Sequence, residues 1–449
     1  MRMESHQSII AMSKPEAYRG DGDMSDSRYI PSRTLGGIRR QEGALFVLPD
    51  LLDVREYAVQ LDTIREKLMV RGAFEPEPVY IPATDEILDV AIKQNILLLQ
   101  ERLTKDTSYV TSPYSHTSEN EAWMEILRRG GYDVTADIAL KSEDLYSLDN
   151  RGGWGRHVRN PDFIPVPLQA HIPYPESWIS QDANETLQAY QNVVNVTGDP
   201  RVQMKGIFSA GGFVNKTVHS LEEAEEVYLE FLNGGKLGKT GAVEMQAFIS
   251  DLDPKHTVFS MQYSTTKNGV HVIDTPGGIG SQIMDAKEEW IGNRFNDPAL
   301  IAQYGAAAYS LFGELGKVLN GSVAKGGIDV SATHTTPSGL IVVEHNAKRM
   351  TGAHPAKELM EALRVPENMP AVSKKCEMNI NCDLKTLWEV LEAEGESFDP
   401  VSKTGIFPLC WMNGHYGMLM AFGPVESTDI LERQIDRVYS HLAQLGYVS

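Results

Sequence analysis

The residues best suited to chemistry lie in a stretch that begins at Gly326 and reads GGIDVSATHTTPSGLIVVEHNAKRMTG. Glu344 and Asn346 are two residues apart on a predicted strand, so their side chains share one face of it. The turn at residues 335–339 predicts an antiparallel hairpin with the preceding strand. One turn centre places Asp329 opposite Glu344, and a shift by one residue places it opposite Asn346. Either register leaves all three side chains on one face.

Two carboxylates on one face of an apolar hairpin indicate a bound cation. At about 5 Å they repel by roughly 3 kcal/mol at an effective dielectric of about 20. The hairpin is rich in Ile, Val and Leu, which argues against a fully solvated face. Oxygen ligands suit Mg²⁺ or Mn²⁺, and an asparagine adds a neutral oxygen without a third negative charge. The alternative is a polar hairpin face in contact with water.

A second chemical feature is a lysine followed by a glycine loop. Lys205 lies on a predicted strand, and Ser209, Ala210, Gly211 and Gly212 follow. The glycines leave the backbone N–H groups free to point at phosphate oxygens, and the lysine adds a point charge near the same oxygens. Ordinary hairpins also turn through two glycines. The feature therefore points to phosphate binding only because it precedes the acidic hairpin.

Helices and strands alternate over most of the chain, which predicts an α/β (α+β) protein. Residues 1–40 are polar and show no apolar period, so we expect a flexible N-terminal tail. We expect an αβ domain over residues 41–148 and a second domain over residues 149–362. A small C-terminal α-β-β-α domain is predicted over residues 363–449, with an Asn-Gly turn between its strands and an apolar stripe on its last helix.

Hydrophobic periodicity and capping residues place the individual elements. A helix is expected to begin after Ser220, with Glu223 completing a capping box. The other predicted helices cover residues 85–103, 121–129, 300–319 and 383–393. The predicted strands cover residues 44–48, 201–208, 213–218, 242–249, 257–263, 406–412 and 418–422.

Composition and charge exclude several classes of protein. A formal net charge of −20 argues against nucleic-acid binding, which needs a basic face. No apolar run approaches the roughly 20 residues that span a bilayer, and the first residues lack the apolar core of a signal peptide. Cys376, Cys382 and Cys410 fit neither a disulfide framework nor a zinc pattern. We therefore expect a cytoplasmic protein with reduced thiols, acting on small molecules without membrane or nucleic-acid partners.

The order of these features resembles the ATP-grasp superfamily over residues 149–362, with a pre-ATP-grasp domain before it. The resemblance implies bound ATP and Mg²⁺ and gives roles to single residues. Lys205 would bind phosphate, and the loop from Ser209 to Gly212 would be the flap. The other implied roles are adenine contact by Gln246, Ala247 and Phe248, ribose contact by Asp253, and metal binding by Asp329, Glu344 and Asn346.

The sequence departs from the usual ATP-grasp pattern at several positions. Gln246 stands where a glutamate is usual, and Arg151 stands where the first ATP-binding lysine would fall. The family often has Asn-x-Arg, whereas here Lys348 and Arg349 both follow Ala347, so either could reach the transferred phosphate. Arg294 could clamp a substrate carboxylate or form an ordinary ion pair.

The resemblance implies an ATP-dependent ligase that joins a carboxylic acid to an amine through an acyl-phosphate. A narrower likeness is to the peptide ligases of pheganomycin-type antibiotic biosynthesis, which join a guanidino acid to the N-terminus of a peptide. The expected partners are ATP, the acid and an amine or peptide, with a homodimer among the possible assemblies. The alternatives are an ATP-grasp kinase and a nucleotide-binding regulator without turnover.

Overall fold

The structure is a computed structural model of the chain. The structure describes residues 7–11, 45–68, 78–82, 88–111, 118–136, 175–207, 215–237, 241–252, 258–265, 271–273, 279–285, 290–319, 325–333, 336, 339–347 and 354–449 except 415.

Helices and strands alternate as the sequence predicts. The helices are α1 (Leu52–Lys67), α2 (Leu88–Gln94), α3 (Ile96–Gln100), α4 (Ser118–Arg129), α5 (Ala183–Thr197), α6 (Leu221–Asn233), α7 (Pro298–Leu319), α8 (His354–Ala362), α9 (Leu384–Ala393) and α10 (Thr428–Gln444). The strands are β1 (Gln7–Ala11), β2 (Leu45–Asp50), β3 (Val79–Pro82), β4 (Ser108–Thr111), β5 (Asp133–Ala136), β6 (Ser177–Ser180), β7 (Val202–Gly206), β8 (Asn215–Val218), β9 (Val243–Ala247), β10 (Phe259–Thr265), β11 (His271–Ile273), β12 (Ile279–Met284), β13 (Trp290–Phe295), β14 (Lys325–Ala332), β15 (Leu340–Ala347), β16 (Ala371–Lys375), β17 (Gly405–Met412) and β18 (Tyr416–Phe422).

The N-terminal sheet is parallel and has the order β3-β2-β1-β4-β5. The prediction of a flexible tail over residues 1–40 is wrong for Gln7–Ala11, because β1 is the central strand of this sheet. Ile9 is completely buried between its neighbours. The segment is too short and too closely flanked by polar residues to show an apolar period, and its pairing partners lie far along the chain.

The small sheet is antiparallel and has the order β6-β9-β7-β8. Its apolar face, which includes Met204 and Met245, packs against α5 and α6. The predicted cap of α6 is confirmed, since Ser220 accepts a hydrogen bond from the Glu223 backbone N–H at 3.1 Å. The glutamate carboxylate accepts in turn from the backbone N–H of His219, one residue before the cap. The opposite face of the small sheet is polar.

The large sheet is antiparallel and has the order β15-β14-β10-β12-β13-β16-β18-β17, with β11 paired to β10. Helix α7 covers one face, where it packs on residues such as Phe259, Met261 and Val330. The strands β16, β17 and β18 come from the predicted C-terminal domain but belong to this same sheet. The boundary predicted at residue 363 therefore falls within one continuous sheet.

The last part of the chain contains a strand that the α-β-β-α prediction missed. Strand β16 pairs with both β13 and β18, which joins this part to the preceding strands. Helix α10 buries Leu431, Ile435, Val438 and Leu442, so the predicted apolar stripe is confirmed as core. Leu445 lies beyond the helix and is about half exposed, at 47%.

Helix α1 joins the N-terminal part of the chain to the C-terminal part. It packs against α9 and β17, and its buried residues share one core with them. The Gln60 side chain donates to Asp383 Oδ2 at 3.0 Å, which reinforces this contact. Among the described residues, no helix combines the length and the apolar character needed to cross a membrane.

Candidate functional site

The carboxylates of Asp329 and Glu344 lie opposite each other on β14 and β15. This is the first of the two registers that the sequence allowed, and it is confirmed. Past Asp329 the register shifts by one residue, and Val330 pairs with Val342. Both carboxylates are partly buried. Directly paired residues of antiparallel strands have Cβ atoms about 4.5–5.5 Å apart, which is a suitable separation for binding one cation.

A serine on the next strand supports this pair. Ser260 on β10 pairs with Asp329, and its hydroxyl donates a hydrogen bond to Asp329 Oδ1. Ser260 is itself buried, with 6% of its surface exposed. A hydroxyl that holds one carboxylate oxygen fixes the direction in which the second oxygen points. Strand β10 alternates buried apolar residues with Ser260 and Gln262, a period-two pattern from which the sequence could have predicted the face of Ser260 but not its partner.

Asn346 lies two residues beyond Glu344 on the same strand, opposite Gly327. Strand alternation predicts it on the carboxylate face, but its side chain lies outside the described structure. His345 pairs with Ile328 in the same register. No group of three or more His, Cys, Asp and Glu side chains suited to a metal occurs within the described ranges. The described part of the candidate consists instead of two facing carboxylates, whose oxygens suit a hard divalent cation.

The polar face of the small sheet presents a second set of groups. Lys205 Nζ donates to Gln246 Oε1 at 2.6 Å. Glu244, which sequence analysis did not single out, pairs directly with Lys205 across β7 and β9 and is completely buried. Because Lys205 holds the amide oxygen, Gln246 Nε2 is the end of the amide that faces away. That nitrogen has no hydrogen-bond partner within the described structure.

The segment after β9 leads from the small sheet to the large one. Ala247 donates its backbone N–H to the Glu176 carbonyl at 2.7 Å, and the Phe248 ring lies under the Arg201 guanidinium at 4.5 Å. Further on, Asp251 accepts a hydrogen bond from the Thr333 hydroxyl at 2.6 Å. Thr333 follows β14, so this bond ties the segment to the strand that carries Asp329.

Arg294 lies away from the carboxylate pair. Strand register places it opposite Ser281, on the face of the large sheet that packs against α10. Its guanidinium donates to Glu432 Oε2 at 2.6 Å. Lys374 joins the same network through Glu432 at 3.3 Å and Asp436 at 2.7 Å. The structure thus supports the ion pair that the sequence offered as the alternative to a substrate clamp.

Several residues of the predicted site lie outside the described residues. They are Arg151, Ser209, Gly211, Gly212, Asp253, Lys348 and Arg349, together with the side chain of Asn346. The described part of the site therefore consists of the carboxylate strand pair, the polar face of the small sheet and the segment that links them.

Comparison with known proteins gives a likeness in structure but not in sequence. No protein-family model and no curated protein sequence matches the chain. Solved structures do match. The biotin carboxylase domain of 2-oxoglutarate carboxylase from Hydrogenobacter thermophilus, solved with MgADP and bicarbonate, has a TM-score of 0.57 at 13% identity and covers 94% of this chain and 87% of its own.

Two further structures cover nearly the whole chain. Carboxyaminoimidazole ribonucleotide synthase from Aspergillus clavatus, solved with ATP, has a TM-score of 0.53 at 12% identity and covers 98% of this chain and 100% of its own. Phosphoribosylamine–glycine ligase from Thermotoga maritima has a TM-score of 0.52 at 13% identity and covers 98% of this chain and 97% of its own. At these identities the likeness concerns the fold. The chain has the ATP-grasp fold, with its acidic strand pair and its lysine-bearing strand on the sheets described above.

Proposed function

We propose that this protein is an ATP-dependent ligase that forms an amide bond between a carboxylic acid and an amine. The observation that carries the proposal is the Asp329–Glu344 pair, two partly buried carboxylates face to face in an ATP-grasp fold. The solved structures of similar fold were obtained with MgADP or with ATP. A divalent cation between the carboxylates would neutralise their repulsion and bind ATP phosphates.

The reaction that we propose proceeds through an acyl-phosphate. A carboxylate oxygen attacks the γ-phosphorus, the bond to ADP breaks, and ADP leaves. The amine nitrogen then attacks the acyl carbon, loses a proton and expels phosphate. Activation is needed because the oxygen of a free carboxylate is a poor leaving group. The protein contributes position and charge, and a protein nucleophile is not required.

The roles of individual residues are part of the proposal. Asp329, Glu344 and Asn346 would hold Mg²⁺ or Mn²⁺, with Ser260 orienting Asp329. Lys205 would bind ATP phosphate, and Gln246, Ala247 and Phe248 would contact the adenine. Either Lys348 or Arg349 would stabilise the transferred phosphate and the oxyanion. We assign no substrate role to Arg294, whose guanidinium pairs with Glu432.

We further propose that the acceptor is the N-terminal amine of a peptide and that the acid bears a guanidino group. The support is the resemblance of the sequence to the pheganomycin-type ligases, which would imply a role in antibiotic biosynthesis. A guanidinium needs a carboxylate partner. The net charge of −20 agrees with such a substrate but does not single out a pocket.

The test is product analysis with purified protein, MgATP, a panel of guanidino and simple carboxylic acids, and hydroxylamine as a small amine. An acyl-phosphate is trapped as a hydroxamate, and ADP and phosphate accumulate in equal amounts. AMP and pyrophosphate would refute the mechanism. ADP formed equally well without any acid would instead favour the kinase or a simple ATPase.

A further inference from the structure

The face of the large sheet that carries the carboxylate pair continues into a row of uncharged polar side chains. Ser260 pairs with Gly280 across β10 and β12, and Gln282 lies two residues further on the same face. Gln282 pairs with Asn293 on β13, and Asn293 pairs with Ser373 on β16. We call Gln282, Asn293 and Ser373 the amide row. Direct pairing on adjacent strands places all three on the face of Asp329.

Two polar atoms of the amide row lack a hydrogen-bond partner in the part of the chain that the structure describes. Trp290 Nε1 donates to Asn293 Oδ1 at 3.2 Å, which fixes the amide so that Nδ2 is the free end. That nitrogen and Ser373 Oγ have no partner within the described residues. Asn293 is 5% exposed and Ser373 is completely buried, whereas Gln282 is partly exposed. A buried polar group without a partner costs about 1–3 kcal/mol, so two such neighbours suggest that a ligand interacts here.

We propose that the amide row binds the backbone of an extended peptide acceptor, with Gln282 as the point of entry. This inference rests on the proposed ligase function and names the substrate of that site. The row offers amide and hydroxyl groups without charge, which suit the N–H and C=O groups of a peptide. A substrate carboxylate held there would instead require a buried cation.

The geometry also fixes the length of the peptide. The row begins two strands from β14 and ends four strands from it. Neighbouring strands are about 4.8 Å apart, so the row lies about 10 to 19 Å from Asp329. An extended chain advances about 3.3 Å per residue, so Gln282 and Asn293 lie near roughly the third and fourth residues of the acceptor, and Ser373 lies near about the sixth. Single amino acids cannot reach it.

The experiment compares two acceptors in wild-type protein and three variants. The acid is whichever member of the guanidino panel gives the most hydroxamate, and the acceptors are tetraalanine and hydroxylamine. Gln282→Met keeps the side-chain length and removes the amide, and Asn293→Asp replaces the free donor by an acceptor. Ser281→Ala is the control. Like Asn293 and Ser373, Ser281 is buried and has a polar atom without a partner in the described structure, but it lies on the opposite face of the sheet.

We expect Gln282→Met and Asn293→Asp to raise KM for tetraalanine about tenfold or more, the effect of losing one hydrogen bond. Hydroxamate formation should stay within about twofold of wild type in both, because hydroxylamine does not reach the row. Ser281→Ala should leave both reactions unchanged. Equal loss with both acceptors, or equal effects of Gln282→Met and Ser281→Ala, would show that the row is structural and overturn the inference.

A binding measurement separates this inference from the proposed function. Calorimetric titration of tetraalanine into the protein with MgADP should give saturable binding that Gln282→Met weakens about tenfold. Absence of hydroxamate with every acid would refute the ligase, whatever the calorimetry shows. Hydroxamate formation together with no difference in peptide binding between wild type and Gln282→Met would refute the amide row alone.

Discussion

The two facing carboxylates make the charge of Glu344 the most direct residue-scale test of the site. Glu344→Gln keeps the size and the strand but removes one negative charge from the pair. We expect ADP formation to fall about 100-fold or more, the scale seen when one preorganised electrostatic group is removed. The Mg²⁺ concentration for half-maximal turnover should rise. Phosphate release at graded Mg²⁺ measures both effects.

The control for this change is Glu389→Gln, since Glu389 is exposed on α9 and pairs only weakly with Lys385 at 3.9 Å. The control should behave as wild type, and both variants should unfold at the wild-type temperature. Near-normal turnover of Glu344→Gln would show that the carboxylate pair has only a structural role.

Lys205 gives a second residue-scale prediction, concerning ATP. Its ammonium donates to Gln246 Oε1 at 2.6 Å on the polar face of the small sheet, where the proposed function puts the phosphates of ATP. We expect Lys205→Gln to raise KM for ATP more than KM for the acid. Lys216→Gln on the neighbouring strand is the control, because Lys216 is exposed and its ammonium lies 3.6 Å from the Glu230 carboxylate, away from Gln246. An equal rise in both constants would exclude a specific phosphate contact.

At the residue scale, the sequence predicted positions on a strand better than partners between strands. Alternation alone placed Glu344 and Asn346 on one face, and the register confirmed Asp329 opposite Glu344. Ser260 and Glu244 were missed because their importance depends on which strands become neighbours. Ser260 precedes its partner Asp329 by 69 residues, and no local pattern encodes that pairing.

At the element scale, the contact of α10 with the large sheet depends on an ion-pair network. Glu432 bridges Arg294 and Lys374, and all three side chains are mostly buried, with exposures of 18%, 20% and 13%. Glu432→Gln would leave Arg294 and Lys374 close together without the negative charge that lies between them. We expect the free energy of unfolding to fall by about 1 to 3 kcal/mol. Urea denaturation measures this change.

The activity of the same variant distinguishes the two interpretations of Arg294. If the network is structural, Glu432→Gln and Arg294→Met lower stability without changing KM for the acid. Glu426→Gln is the control, because Glu426 is exposed just before α10. A large rise in KM for the acid in Arg294→Met, at unchanged stability, would show instead that Arg294 binds the substrate carboxylate.

Helix and strand boundaries were predicted well where capping residues or alternation mark them. They were predicted poorly where an element forms only because it pairs with a distant strand. The helix after Ser220 and the hairpin strands β14 and β15 were found from capping and alternation. The single helix predicted over residues 85–103 is instead two helices, α2 and α3, separated at Asn95. The Asn95 side chain donates to the Ala91 carbonyl at 2.9 Å. Strand β16 was missed because only its first three residues are buried and only Ala371 and Val372 among them are apolar, which is too short a run to show a period.

At the scale of the whole molecule, the large sheet unites segments that the sequence assigned to separate domains. Strand β16 pairs with β13, so the C-terminal part cannot move independently of the strands that carry the amide row. Helix α1 adds the N-terminal part through its shared core with α9 and β17. The fold class was predicted correctly, whereas this continuity could not be, because it rests on edge-to-edge pairing between distant segments.

The three cysteines report on the integrity of this shared core. Cys376, Cys382 and Cys410 are all buried free thiols. Burial raises the pKa of Cys376 above its ordinary value of 9.0 and raises that of Cys382 to about 11. At pH 8 the thiolate fraction of Cys382 is then about one in a thousand, against about one in ten for an exposed thiol with the ordinary pKa.

We therefore expect Cys382 to react with iodoacetamide at least about 100-fold more slowly in the native protein than in guanidinium chloride at pH 8. Because its pKa is higher in the folded state, the folded form holds a proton that the unfolded form loses between about pH 9 and 11. The stability associated with this thiol is thus fully present below pH 9 and is lost as pH rises through that window. Peptide mapping by mass spectrometry assigns the labelled residue, and denatured protein labelled at all three cysteines is the control. Rapid labelling of native Cys382 at pH 8 would show that the core formed by α1, α9 and β17 opens readily, contrary to the continuous sheet and shared packing described above.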